Sequence, residues 1–197
     1  LWAATSTGLF EAERRVFMNR PVFKKRREIR DQVFQILDVD DQLLWLATSH
    51  GIYRGYLDSV FVPHTSINST VFCLEKLSGQ LIAIGGKGGL FFQEKNFLRR
   101  ISAIKGEILR ILRVNHNTLW LSLRGGRVAQ LQFPQGWESE PIITEYGLED
   151  GLPGSEVQLA LLGERVLFVT KEGIFRFNPD QKPAFQPYEA LMAPGHE

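Results

Sequence analysis

Four glycines surround a lysine in the segment GGKGG at residues 85–89, a composition that could form a loop around a phosphate. A nucleotide-binding P-loop, however, needs Gly-Lys followed by Ser or Thr and then a helix. Here Gly88 follows Lys87, and the residues beyond it have the pattern of a strand. We therefore interpret this segment as a hairpin turn.

Carboxylates cluster at Asp38, Asp40 and Asp41, and closely spaced acidic residues can bind calcium. The segment lacks the glycine and the distal glutamate of the twelve-residue calcium loop, so we interpret it as a solvated turn. None of the four histidines has a second His or a Cys at metal-ligand spacing. Cys73 is the only cysteine, which excludes an intrachain disulfide. We predict no metal, no cofactor and no catalytic residue.

Composition narrows the class of protein. The chain has 197 residues, of which 44% are hydrophobic and 23% charged, with a formal net charge of +1. These values are typical of a folded domain rather than a disordered segment. The basic run between Arg20 and Arg30 could contact phosphates, but a charged outer strand is the favoured interpretation. The apolar runs are too short to span a membrane. We predict no nucleic-acid partner and no membrane contact within the chain.

A repeat organises the whole sequence. Its copies are LWAATSTGLF from residue 1, LWLATSHGIY from 44, LIAIGGKGGLF from 81, LWLSLRGGRV from 119 and VLFVTKEGIF from 166. Each copy has an alternating apolar run, a tight turn that ends in glycine, and a second apolar run. That pattern predicts a β-hairpin.

One position of the repeat is marked by tryptophan. Trp2, Trp45 and Trp120 share this position, and we assign Ile82 and Leu167 to it in the other copies. An exposed tryptophan could stack on a sugar ring. Recurrence at one position of a half-buried strand instead favours packing between neighbouring repeats.

Additional strands flank the hairpins. Inner-strand candidates are residues 33–39, 71–77, 108–114 and 157–163, and outer-strand candidates are 14–20, 59–64, 95–101, 141–146 and 184–190. Four antiparallel strands in about 40 residues are typical of a β-propeller blade. We predict an all-β propeller with blades at 1–28 (partial), 29–66, 67–104, 105–148 and 149–197. That amounts to about four and three-quarter blades, which we expect to be an arc of a larger propeller.

The repeat resembles the two-component regulator propeller family. LWAATSTGLF and LWLATSHGIY match that family's Leu-Trp pair, Thr, and Gly followed by an aliphatic and an aromatic residue. VLFVTKEGIF matches with Leu167 in place of tryptophan, and EYGLEDGLPGSEV at 145–157 is similar to the family's inter-blade segment. The copies at 81 and 119 depart from the pattern. The resemblance covers essentially the whole chain.

This resemblance implies an extracytoplasmic ligand-sensing module of a bacterial signal-transduction regulator, of the histidine-kinase or diguanylate-cyclase type. The module would be the periplasmic portion of an inner-membrane protein and would have no catalysis of its own. The implied partners are a small molecule or glycan fragment, the remaining blades and output domains of the same protein, and a second copy in a homodimer. Two other functions stay open: an interaction scaffold, and a lyase or hydrolase with its site at the channel mouth.

Candidate ligand contacts lie in the hairpin turns, because propeller ligands usually meet the rim of the central channel. Lys87, Arg124 and Lys171 occupy turn positions and would suit an anionic or polyhydroxyl ligand. His50 occupies the same turn in another repeat. Varied polar residues on a repeated frame are typical of a binding surface. We predict that these four residues contact the ligand.

Overall fold

The computed structural model describes residues 1–12, 21–40, 42–64 and 67–188. These residues form nineteen strands in five antiparallel sheets, which follow one another along the chain. Sheet 1 contains β1 (Trp2–Thr5), β2 (Gly8–Ala12) and β3 (Phe23–Lys25), and sheet 2 contains β4 (Val33–Asp40), β5 (Leu43–Thr48), β6 (Gly51–Tyr56) and β7 (Val62–His64). Sheet 3 contains β8 (Val71–Ser78), β9 (Leu81–Gly86), β10 (Gly89–Glu94) and β11 (Phe97–Arg100). Sheet 4 contains β12 (Ile108–Arg113), β13 (Thr118–Leu123), β14 (Arg127–Gln132) and β15 (Ile142–Tyr146), and sheet 5 contains β16 (Gln158–Leu162), β17 (Arg165–Thr170), β18 (Gly173–Phe177) and β19 (Phe185–Pro187).

The strands of each sheet are hydrogen-bonded in sequence order, and the inner strands β4, β8, β12 and β16 contact one another in succession. This arrangement confirms the predicted β-propeller, with four-stranded blades in sheets 2 to 5. The inner strands coincide with the predicted segments. Among the described residues the helical structure is one short 3-10 turn, Leu148–Asp150, and no helix has the length and apolar character to span a membrane.

One outer strand lies elsewhere than predicted. The strand that pairs with the outer side of β2 is Phe23–Lys25, whereas residues 14–20, the predicted outer strand, lie outside the described residues. Asp41, Arg20, His196 and the end of the last predicted strand also lie outside them. The basic run therefore includes both a short exposed strand and the loop that follows it.

The core is divided among the four interfaces between successive sheets. Leu9, Leu46 and Phe61 lie between sheets 1 and 2, and Trp45, Leu74 and Ile84 lie between sheets 2 and 3. Phe92, Leu121 and Phe133 lie between sheets 3 and 4, and Trp120, Phe168 and Phe185 lie between sheets 4 and 5. Each interface is built from the two faces that the alternation of strand side chains provides.

The repeated tryptophans pack between blades, as predicted. The ring of Trp2 in sheet 1 meets Phe61 of sheet 2 edge-on, with centroids 5.7 Å apart. Trp120 in sheet 4 meets Phe168 of sheet 5 edge-on at 4.9 Å. A tryptophan in this position therefore closes the interface to the next blade.

In sheet 3 this position belongs to Ala83, so the assignment of Ile82 was wrong. Gly89 has a positive φ of 98° and pairs with Gly86, just as Gly51 pairs with Thr48 in sheet 2. Counting back from Gly89 places Ala83 in the tryptophan position. Ala83 packs toward sheet 4, whereas Ile82 faces sheet 2. The assignment was one residue off because two glycines stand on each side of Lys87, so the sequence does not show which of them ends the turn.

The threonine of the repeat closes the hairpin turn. In sheet 2, Thr48 Oγ1 donates to the carbonyl oxygen of Gly51 at 2.9 Å and accepts from the backbone N–H of His50 at 3.2 Å. Thr5 and Thr170 make the same pair of bonds in sheets 1 and 5. The hydroxyl thus bonds one backbone N–H and one backbone carbonyl oxygen of the tight turn. The threonine of the repeat therefore has a structural role in the hairpin turn.

We expect Thr48→Val to lower the free energy of unfolding by about 2 kcal/mol, because the isosteric change removes two hydrogen bonds at a fully buried side chain. Thr5→Val should cost about 1 kcal/mol, since the equivalent bonds in sheet 1 are open to water. Urea unfolding followed by tryptophan fluorescence measures both. A Thr48→Val protein as stable as the unsubstituted chain would contradict this role.

Candidate ligand-binding surfaces

The two ends of the sheets carry different loops. Because the strands are antiparallel and connected in order, turns between second and third strands share one end with the loops that join successive sheets. We call this end the rim end. Turns between first and second strands and between third and fourth strands lie at the opposite end, which we call the cleft end.

The structure places all four predicted ligand contacts at the rim end. His50, Lys87, Arg124 and Lys171 lie in the turns between β5 and β6, β9 and β10, β13 and β14, and β17 and β18. All four are exposed. Within the described residues, no hydrogen bond or ion pair joins any two of them. The repeat therefore sets them on one end without assembling them into one cluster.

His50 is oriented by its surroundings. Its Nδ1 lies 2.7 Å from Asp31 Oδ1 and 3.1 Å from Ser49 Oγ, and Tyr53 donates its hydroxyl to Asp31 Oδ2 at 3.0 Å. A catalytic Ser-His-Asp relay uses the two ring nitrogens for different partners. Here the serine and the aspartate share Nδ1, so this cluster holds the imidazole in place but is not arranged to activate Ser49.

Two of the predicted cations are already paired with carboxylates. Arg124 lies 2.5 Å from Glu107 and 3.3 Å from Glu156, and its hydrogen bond to Glu107, together with the charges of both carboxylates, raises its pKa. Lys171 Nζ lies 3.6 Å from Glu172. Among the described residues, no such ion pair involves Lys87. Of these three predicted cations, Lys87 would therefore meet an anion with the least competition from a carboxylate.

Two clefts open at the cleft end. The Trp137 cleft, between sheets 3 and 4, has a volume of about 500 Å³. The Trp45 cleft, between sheets 2 and 3, has a volume of about 400 Å³. Both volumes are in the range of small-molecule sites. Neither cleft includes any of the four predicted residues.

In the Trp137 cleft, the arginine side chain already has hydrogen-bond partners within the protein. Arg99 donates to the carbonyl oxygens of Trp137 at 2.5 Å and Glu138 at 3.3 Å, and its guanidinium carbon lies 5.4 Å from the centroid of the Phe92 ring. Exposed Phe97 completes an aromatic wall. Ala83, at the tryptophan position, lies opposite Phe92 in the register and is buried in the core behind this wall.

The Trp45 cleft is richer in positive charge. Arg54, Lys76 and Lys95 line it together with the single carboxylate of Asp40. Arg54 lies directly opposite Trp45 across β5 and β6. Lys76 comes from the inner strand of sheet 3 and also donates to the carbonyl of Val39 in sheet 2. Gln80 adds a polar side chain at the mouth.

Cys73 is a core residue rather than a reactive one. It is buried in the core between sheets 3 and 4, and burial raises the pKa of its thiol to about 12. A thiol with that pKa is protonated at neutral pH and is a poor nucleophile. Within the described residues, no three His, Cys, Asp or Glu side chains are grouped as metal ligands would be.

Sequence reasoning missed both clefts. Their linings combine strands and turns from two sheets, and they depend on how far apart those sheets pack. One signal was available. Lys76 interrupts the apolar inner strand VFCLEKL at a position that faces the neighbouring sheet. A charged side chain between two sheets usually has a bonding partner or contacts a ligand.

Comparisons with known proteins place this architecture among the β-propellers. The chain superimposes on the extracellular domain described as the hybrid two-component system BT3049 from B. thetaiotaomicron, with a TM-score of 0.72, 18% identity and 95% of this chain covered. It superimposes on the WD40 β-propeller domain of Doa1 with a TM-score of 0.64, 9% identity, and coverage of 93% of this chain and 61% of that one. The enzyme dihydro-heme d1 dehydrogenase NirN matches with a TM-score of 0.59, 11% identity, and coverage of 94% and 42%.

The chain spans 27% of the BT3049 domain, and 22% and 25% of the chains in two structures of the BT4673 extracellular domain from the same organism. No family model matches the chain, and no curated protein matches it. The fold is therefore that of a β-propeller, shared with extracellular domains of two-component systems, a WD40 protein and an enzyme.

Proposed function

We propose that the chain is part of a ligand-sensing β-propeller in a bacterial signal-transduction regulator. The observation that carries this proposal is the match to the BT3049 extracellular domain over 95% of the chain. The hairpin motif of sheets 1, 2 and 5, which resembles the two-component regulator propeller repeat, supports it independently. WD40 and enzyme propellers share the fold, so the motif is what favours a sensor over a scaffold or a lyase.

In this proposal the propeller lies on the periplasmic side of the inner membrane and performs no chemistry. Its ligand is a small molecule or a glycan fragment. Binding favours one arrangement of the blades, or of a homodimer, and so shifts the population of the output domain in the cytoplasm. The remaining blades and the output domain belong to the same protein.

The location can be tested in cells that make the complete protein. Spheroplasts are treated with protease, and antibodies against residues 67–188 follow the fate of this segment. We expect cleavage while the inner membrane is intact and a cytoplasmic marker is protected. Protection of the segment until the membrane is lysed would contradict the proposal, and would leave the scaffold and enzyme alternatives.

The rim residues are tested through the output. We expect the combined variant His50→Ala, Lys87→Ala, Arg124→Ala and Lys171→Ala to reduce induced output at least tenfold, since it removes every predicted ligand contact at the rim. The readout is a reporter gene in cells grown on a panel of oligosaccharides and sugar acids. A matched control changes exposed residues of the cleft end, His116→Ala, Arg165→Ala and Lys182→Ala. Unchanged induction in the rim variant would refute the rim site.

A further inference from the structure

The interface between sheets 2 and 3 contains unsatisfied polar atoms. Among the described residues, three buried side-chain atoms have no hydrogen-bond partner: Trp45 Nε1, His64 Nε2 and Gln93 Oε1. Buried polar groups are almost always paired, and each exception needs an explanation, such as a ligand or water that completes it. Their positions relative to one another are therefore informative.

All of these atoms belong to side chains on the two facing surfaces of that one interface. In sheet 2, the Trp45 and His64 rings meet edge-on with centroids 5.0 Å apart. In sheet 3, Gln93 lies opposite Ile82 in the register, and residues directly opposite each other in antiparallel strands share a face. Ile82 packs in the same cluster as Trp45, so the Gln93 side chain also faces sheet 2.

The Trp45 cleft opens from this interface. Trp45 itself lines the cleft and is 6% exposed. Gln93 is 1% exposed and donates its Nε2 at 2.8 Å to the carbonyl oxygen of Lys95, which lines the cleft mouth. Lys95 is the one non-glycine residue with a positive φ, 51°, among the described residues. Lys95 is in the two-residue turn between β10 and β11, and a tight hairpin turn of that length favours a positive φ.

Charge indicates which ligand would fit. The lining has three cations, Arg54, Lys76 and Lys95, and one carboxylate, Asp40, so the cleft has an excess of positive charge. The unpartnered indole N–H is a donor and suits an oxyanion. The unpartnered amide oxygen of Gln93 is an acceptor and suits a hydroxyl group. The neighbouring Trp137 cleft provides a contrast, since its single arginine, Arg99, is already bonded to carbonyl oxygens.

We propose that the Trp45 cleft binds a small organic oxyanion that also carries hydroxyl groups. Arg54 and Lys95 attract the anion, the indole N–H of Trp45 donates to it, and Gln93 Oε1 accepts from a hydroxyl. These polar atoms are sealed from solvent without ligand. Binding therefore has to part sheets 2 and 3 at the cleft end. A sensing role for this cleft rests on the proposed function, and the separation of the two blades would then be the signal. Binding of an oxyanion in the cleft does not depend on that role.

The test measures binding to the 197-residue chain. Probes are gluconate and inorganic phosphate, with sorbitol as the neutral counterpart of gluconate. The chain has four tryptophans, so its indole N–H groups give four NMR signals, and the one that vanishes in Trp45→Phe is that of Trp45. We expect this signal to shift on titration with gluconate, phosphate or both, and not with sorbitol. The apparent affinity should fall as salt is raised.

Variants locate the site. The pair Arg54→Gln and Lys95→Gln should weaken oxyanion binding at least tenfold. Trp45→Phe should weaken it as much, and because this variant lacks the reporter signal its binding is measured by titration calorimetry alongside the unsubstituted chain. Matched controls are the exposed pair Lys105→Gln and Arg165→Gln, and Trp137→Phe in the other cleft, all of which should bind as the unsubstituted chain does. Circular dichroism of each variant confirms that it is folded before binding is measured.

Two results would overturn the site: a Trp45 signal that stays in place with both oxyanions, or binding that survives loss of Arg54 and Lys95. Equal binding of sorbitol and gluconate would overturn the oxyanion class. If the chain binds as expected but the output of the complete protein ignores gluconate and phosphate in the periplasm, the sensor role of the site fails and the binding site stands.

Discussion

Gly51→Ala is expected to lower the free energy of unfolding by about 4 kcal/mol. Two causes add. Gly51 has φ of 109°, a conformation that residues with a side chain rarely adopt. A Cβ atom there would also lie inside van der Waals contact of the Ile67 carbonyl oxygen. That oxygen belongs to the loop leading into sheet 3, so the clash separates two blades.

Gly163→Ala separates the two causes. Gly163 also has a positive φ, 61°, but nothing lies within 4 Å of its Cβ position. The control should therefore cost about 1 kcal/mol, which reflects backbone conformation alone. Urea unfolding curves give both values, and the midpoints can be compared directly when the slopes agree. Equal losses in the two variants would show that close approach between turn and loop contributes nothing.

The hairpin turns show why the fold could be predicted from the sequence. A period of two along each strand, a threonine and a glycine at fixed separation in the turn, and a repeat of the whole unit are local signals, and each has a local physical cause. Thr48 closes the turn and Gly51 permits it. Where these signals fade, in the third copy, the register of the tryptophan position was assigned one residue away from Ala83.

The candidate functional surfaces could be predicted from the sequence only in part. The rim residues could be named because the repeat aligns all the turns, yet nothing in the sequence shows that Arg124 is already paired with Glu107 and Glu156. The Trp45 cleft could not be named at all. Trp45, Lys76 and Lys95 lie in different repeats or different strands of one repeat, and their proximity depends on packing between sheets, which a one-dimensional pattern does not contain. Buried polar atoms without hydrogen-bond partners can be identified only when that packing is known.

Arg26→Ala should lower the free energy of unfolding by about 3 kcal/mol. The guanidinium of Arg26 donates to Glu28 at 2.8 Å, to Glu11 at 2.9 Å and to the carbonyl oxygen of Ser59 at 2.7 Å. These bonds tie sheet 1 to the turn between β6 and β7 in sheet 2. Glu11 is 36% exposed, so solvent weakens its pair with Arg26.

Arg26 also packs against aromatic rings. Its guanidinium carbon lies 5.7 Å from the ring centroids of both Trp2 and Phe61. Arg26→Lys should therefore recover little, about 1 kcal/mol of the loss, since an ammonium group cannot reach both carboxylates and the carbonyl at once. Arg27→Ala is the matched control: Arg27 is the next residue, is exposed, and should change stability by less than about 0.5 kcal/mol.

The pH dependence identifies the ion pair as the cause. Burial raises the pKa of Glu28, but hydrogen bonds from its own backbone N–H and from Arg26 outweigh burial, so the net pKa is below the usual 4.5. A carboxyl group whose pKa is lower in the folded state contributes stability above its unfolded pKa and loses it as pH falls through the folded pKa. The stability difference between the unsubstituted chain and Arg26→Ala should thus be constant from about pH 6 to 8 and shrink below about pH 4. A difference that stays the same down to pH 3 would assign the loss to the packing of Arg26 on Trp2 and Phe61 instead.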